Sequence, residues 1–190
     1  MMTTDFDDMF AGKIAEAMTK QEIIDLIEYA FSNVQYPGDR YLVNGPRGDL
    51  EIEQVENAFR GKSDWRLLDA KFLDNAPDHL GSALSFLSDA AYLFYLPAYM
   101  TQSLNHRFEK ASVVFSLTYG LNAPENSKPI NTRYYGKRTW WDKIRFRYSM
   151  FDQMQIKAIL AYLQYKADDA AQDADQIKQS IQKVRLYFLP

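Results

Sequence analysis

Two histidines, His79 and His106, are the whole supply of the side chain that titrates near neutral pH. General-base chemistry needs such a group beside a nucleophile or a carboxylate. His79 precedes Leu80-Gly81 in an expected loop. His106 falls where a helix should end, a place the helix dipole favours without any catalytic purpose. The chain holds no Gly-x-Ser-x-Gly elbow, no Walker loop and no His-Glu-x-x-His pair. Cysteine is absent, which excludes thiolate metal sites and disulfides and fits a reducing compartment. Glu53-Gln54-Val55-Glu56 sets two carboxylates at i and i+3 on one helix face. A di-iron bundle would also need Glu-x-x-His pairs on further helices, and none occurs. The pair therefore reads as a solvated acidic face. No catalytic residue, metal ligand or cofactor is expected.

One stretch invites binding chemistry. From Arg133 to Arg147 six bases (Arg133, Lys137, Arg138, Lys143, Arg145, Arg147) meet one acid, Asp142. Tyr134, Tyr135, Trp140 and Trp141 are interleaved. Cations that meet phosphates and rings that stack on bases suit an anionic ligand or single-stranded nucleic acid. The same residues suit a protein contact, where Trp, Tyr and Arg dominate the binding energy. They also suit a loop folded against the chain's own acidic end. The pI near 5.4 weighs against nucleic acid, since domains that bind it are usually basic.

The elements that must position these groups read as helices. Thr19-Lys20-Gln21-Glu22 is a capping box. Behind it Ile23, Ile24, Ile27, Ala30, Phe31 and Val34 recur at helical spacing, so a helix is expected over 20–34, with a shorter amphipathic piece at Met9 to Met18 before it. Tyr36-Pro37-Gly38-Asp39 ends that helix, and Asn44 to Gly48 marks a turn. Leu50 to Phe59 reads as a helix with Ile52, Val55 and Phe59 inward, closed by Gly61. Ser63 and Asp69 read as caps of short helical turns through Trp65 and Phe72, and Pro77 opens a turn running to Leu87.

Ser88-Asp89 caps the most apolar helix, Ala90 to Leu104, which is too apolar all round to lie at a surface. Pro97 inside it predicts a kink or a break, and the carbonyl freed at Leu93 is a candidate partner for a buried tyrosine. Tyr92, Phe94, Tyr95 and Tyr99 around it read as core, with an aromatic pocket as the alternative. Val113-Val114-Phe115 suggests a strand or a short helix, and Asn122 to Thr132 a polar loop. Ile144 to Tyr148 alternates like a strand, so a small hairpin within 112–148 is allowed for. Asp152 caps a last pair of helices carrying Ile156, Ile159, Leu160 and Leu163, then Ala174, Ile177, Ile181, Val184 and Phe188.

The expected fold is all-α: one helical domain over 1–190, a central helix at 89–105, and helices at 20–34, 50–60 and 152–188 around it. An aromatic share of 15% argues against disorder. Ala83 to Met100 is too short and too interrupted to span a bilayer. The start, Met1 to Asp8, is acidic where a signal peptide is basic, so a cytoplasmic location is expected. Charge is uneven. Residues 1–60 hold 12 acids against 5 bases, and residues 106–150 hold 9 bases against 3 acids.

Several segments follow one another in a known order: Ile27 to Phe31, Tyr36-Pro37-Gly38-Asp39, Glu51 to Lys62 with Trp65, Ala83 to Ser88, and Tyr95-Leu96-Pro97-Ala98-Tyr99. In this the chain resembles a bacterial domain-of-unknown-function family, the one numbered 6714, over about 22–105 and more loosely over 150–190 (Gln155, Ala158, Leu163). The resemblance implies no established activity, cofactor or catalytic residue. It implies small helical proteins that keep company with secreted-toxin genes, as immunity proteins do. The basic stretch 128–147 is not part of it. The expected function is a non-catalytic intracellular protein-binding module of the immunity type, whose partner is a toxin. Its acidic surface would be Asp25, Glu28, Asp39, Glu53 and Glu56. The alternative is an anion or nucleic-acid binder through 133–147.

Overall fold

A computed structural model describes residues 18–45, 48–75, 83–106, 108–121, 129–130, 132, 136–170 and 173–189. The amphipathic piece before residue 18, Pro77, His79, Arg133, Tyr134, Tyr135 and most of the loop from Asn122 lie outside these. The described chain is all-α: α1 Lys20–Ala30, α2 Leu50–Phe59, α3 Ala70–Asn75, α4 Ala83–Phe86, α5 Asp89–Asn105, α6 Val113–Thr118, α7 Trp140–Tyr148, α8 Gln153–Asp169 and α9 Ala174–Phe188, with 3-10 turns at Asp39–Tyr41 and Trp65–Leu67. Two compact units emerge from the contacts, Phe31–Leu117 and the remainder.

In the unit Phe31–Leu117, α5 carries the core. Eleven of its side chains are buried, and α3 and the Trp65 turn pack on it. Ser88 caps its first turn, accepting from the amide of Ala91 at 3.0 Å, and at the far end the amide of His106 donates to Gln102. Of the kink or break expected at Pro97, the break does not occur. The helix continues through it for 17 residues. Side chains that are buried all along the element outweigh the one amide that proline removes. α2 buries Ile52, Val55 and Phe59 as their spacing predicts, with Asp49 as its cap. The turn at Trp65 is capped by Asp64 and not by Ser63, because the Asp64 carboxylate reaches the amide of Arg66 at 3.0 Å. Asp69 caps α3 as expected, through the amide of Phe72.

In the other unit, α8 packs against both α1 and α9. Thr19 and Glu22 form the expected box at α1, which ends at Ala30 and not at residue 34. Asp152 and Gln155 form a second box at α8, and Gln155 Nε2 also donates to the carbonyl of Ala30 at 3.3 Å.

The strand reading of Ile144 to Tyr148 is overturned, because these residues close a helix. Ile144, Arg147 and Tyr148 are the buried ones, at i, i+3 and i+4. A five-residue alternation fits both periods, and the capping box of Thr139 with Asp142 decides for the helix. Val113-Val114-Phe115 is likewise helical. No strand forms among the described residues, and of the allowed hairpin only an isolated bridge, Pro129 to Thr139, is present. No described helix is long and apolar enough to cross a membrane.

Candidate functional site

Polar groups converge most closely where three of the quoted sequence segments meet in the unit Phe31–Leu117. Tyr36 donates to Asp39, and the same carboxylate oxygen accepts from the amide of Gly61 at 2.8 Å. Gly61 has φ +72°, the left-handed conformation that lets the chain turn at the end of α2. Tyr95 of α5 donates to the carbonyl of Lys62 at 2.8 Å, so it does not need the carbonyl of Leu93. Phe59 and Tyr95 meet edge to face at 4.7 Å, Phe94 and Tyr95 at 4.9 Å, and Tyr36 and Phe94 at 5.4 Å. These rings fill core, as the packing reading expected.

The electrostatics agree with a clamp. The Tyr36 hydroxyl and the Gly61 amide hold Asp39 below the usual carboxylate range, with Arg60 adding a little. Burial and then Asp39 itself push Tyr36 up to about 12. Burial, with Tyr36 beside it, raises Tyr95 as well. A tyrosine with a raised pKa keeps its proton at neutral pH. It serves here as a hydrogen-bond donor.

A second clamp joins α3 to the segment before α6. Asp74 accepts from the amides of Glu109, Lys110 and Ala111 at 3.0, 2.9 and 2.9 Å. Burial alone would raise its carboxyl. The three amides and the charge of Lys110 outweigh that and leave it low. Tyr99, fully buried on α5, is raised by burial and then by Asp74. Sequence reading missed both clamps. Their partners stand 22 residues apart at Asp39 and 35 to 37 apart at Asp74, beyond any local motif.

The residues singled out as an acidic surface fall in two groups. Asp25 and Glu28 are exposed on α1, and Asp25 accepts from Gln21 Nε2 at 2.8 Å. Glu53 is exposed on α2, Glu56 is half-buried and pairs with Arg60 at 3.1 Å, and Asp39 is held in its clamp. The Glu53 carboxylate also accepts from the amide of Gly48.

The basic stretch is mostly helix. Lys137 and Arg138 are exposed ahead of α7, Arg145 is exposed on it, and Arg147 is buried with its apolar face. Trp140 and Trp141 are half-buried shoulders. Trp140 meets Tyr119 at 4.8 Å, with Lys143 over its ring at 5.3 Å, and Trp141 meets Tyr187 of α9 at 4.9 Å. Gly120 (φ +96°) makes the first of these possible, since a β-carbon there would lie 2.9 Å from the carbonyl oxygen of Trp140. Base stacking needs an open ring face, and these rings already carry neighbours. Among the described residues no group of His, Asp and Glu is placed to hold a metal ion.

The model of a family of unknown function, DUF6714, matches residues 19–190. No curated protein and no solved structure matches the chain.

Proposed function

We propose that this chain, which belongs to the DUF6714 family of unknown function, is a non-catalytic protein-binding module of the immunity type. It works in the cytoplasm by masking a cognate bacterial toxin. The observation that carries this reading is the outer face of α2. There Leu50 stands 73% exposed, and Glu51 and Glu53 are exposed beside it, with no base between Leu50 and Phe59. An exposed apolar side chain ringed by like charge is the make-up of a contact patch with a polar rim. Asp25 and Glu28 are exposed on α1, in the other unit. Such charge draws in a basic cleft and speeds association more than it tightens the final complex.

The clamps support the same reading. Asp39, Tyr95 and Asp74, each with a shifted pKa, bond to backbone groups, and Tyr36 holds Asp39 in place. The test is co-expression with the product of the upstream gene, followed by purification. A stable complex, with protection of cells that carry the toxin, is expected. Glu51→Lys with Glu53→Lys should slow association by about tenfold or more at low salt. A chain that neither co-purifies nor protects ends the proposal.

A further inference from the structure

We infer that the outer face of α7 is a docking surface for the acidic face of α2 on a second copy of this chain. The inner side of α7 is Ile144, Arg147 and Tyr148, so Asp142, Arg145 and Phe146 point outward, and Phe146 is 53% exposed. Arg145 and Arg138 both lie near enough to Asp142 to help hold its carboxyl low, after the amide and hydroxyl of Thr139. Lys137 and Arg138 just ahead of α7 and Arg145 on it are all exposed, as is the Phe146 ring. Asp142, the N3 member of the capping box with Thr139, is ionised and offsets one of these positive charges.

The partner surface is in the same sequence. The exposed charges of α2 are Glu51 and Glu53, with no base. On α7 they are Arg145 and Asp142, with Lys143 half-buried and Arg147 buried, and the basic excess of this face comes from Lys137 and Arg138 just ahead of the helix. The exposed apolar residue of one face, Leu50, has its counterpart in Phe146 on the other. Each face is open to solvent in the chain. Single surface ion pairs contribute little, so the contact needs several of them around the apolar pair, and it weakens as salt rises. Trp140 and Trp141 are half-buried, and each already meets one ring of the chain, Tyr119 and Tyr187 respectively. The two faces differ, so each copy offers one face and accepts the other, and the contact either closes a ring or runs on from copy to copy. A protein partner seated on α2 would displace the second copy.

Sedimentation velocity of the full chain over a range of concentrations, at low and high NaCl, tests this without any toxin and so independently of the proposed function. Self-association at low salt that loosens at high salt is expected. Arg145→Glu alone, and Glu51→Lys with Glu53→Lys alone, should each weaken it about tenfold or more. All three positions are exposed, and circular dichroism confirms that each variant folds. Mixed in equal amounts, the two variants should associate again, since each keeps the face the other has lost. A wild-type chain that stays monomeric at low salt overturns the inference. So does self-association that survives both variants, or a mixture that stays apart. Retention of a monomeric chain on oligothymidylate, lost in Arg145→Glu, would also overturn it and assign the face to nucleic acid.

Discussion

Helices α5 and α7 both start at a side-chain cap and both carry aromatic residues, yet they spend them in opposite ways. Eleven of the 17 side chains of α5 are buried, and two of its tyrosines reach carbonyl or hydroxyl groups: Tyr95 donates to Lys62, and Tyr92 accepts from Ser116 Oγ at 3.1 Å. α7 buries one side only and keeps Arg145 and Phe146 in solvent. The difference teaches where changes should register. Around α5 a substitution removes packing or a clamp, so stability moves. On the outer side of α7 Arg145 and Phe146 are exposed, so association should move more than stability.

The largest effect should come from Leu96→Ala, at a side chain with no solvent exposure. A loss of about 2–5 kcal/mol is expected from lost transfer energy and the cavity left behind, read by urea unfolding. A loss below about 1 kcal/mol would mean that α5 is not the core of its unit. Gly120→Ala comes next, at more than about 1 kcal/mol, because the backbone conformation and the nearby Trp140 carbonyl both oppose a β-carbon. Gly61→Ala, with open space at that position, should cost less and so isolate the contribution of the clash.

Asp74→Ala should cost about 1–2 kcal/mol, since three amides lose their acceptor and water replaces part of it. Asparagine at the same position should recover some of this, because one acceptor oxygen remains.

Acid should destabilise the chain through Asp39, Asp74 and Asp142. Their folded pKa values are depressed, so their stabilisation is complete above the unfolded value of about 3.9 and is lost as pH falls through the folded values. The melting temperature should therefore hold down to about pH 4 and then drop, more gently in Asp39→Asn. Tyr36 works at the other end. With its folded value raised to about 12, its share persists up to the unfolded value near 10 and disappears as pH rises through the folded one. Ultraviolet titration of Tyr36→Phe against the wild type should lose one late-ionising phenol. The smallest effect belongs to Phe146→Ala, within about 0.5 kcal/mol by thermal unfolding. A larger loss would show that the outer side of α7 is packed after all.

Much of the fold was legible in local spacing. The box of Thr19 and Glu22, the inward trio of α2, the cap at Ser88 and the two closing helices all rest on contacts within four residues, and such contacts can be read from order alone. The acidic and basic surfaces were legible only as composition. Which of their members are engaged within the chain was not, because the exposed Asp39 is held by Gly61 and Arg147 is buried, and neither outcome follows from near neighbours.

From its residues alone this chain determined an all-α architecture, an aromatic helix that had to be covered, and unequal charge along its length. Tertiary structure alone decided that α5 would pass through Pro97 and that Asp39 and Asp74 would grip amides far away in sequence. The physical reason is range. Caps and periodicity act within one or two turns, whereas burial and long-range hydrogen bonds depend on what the folded chain brings alongside.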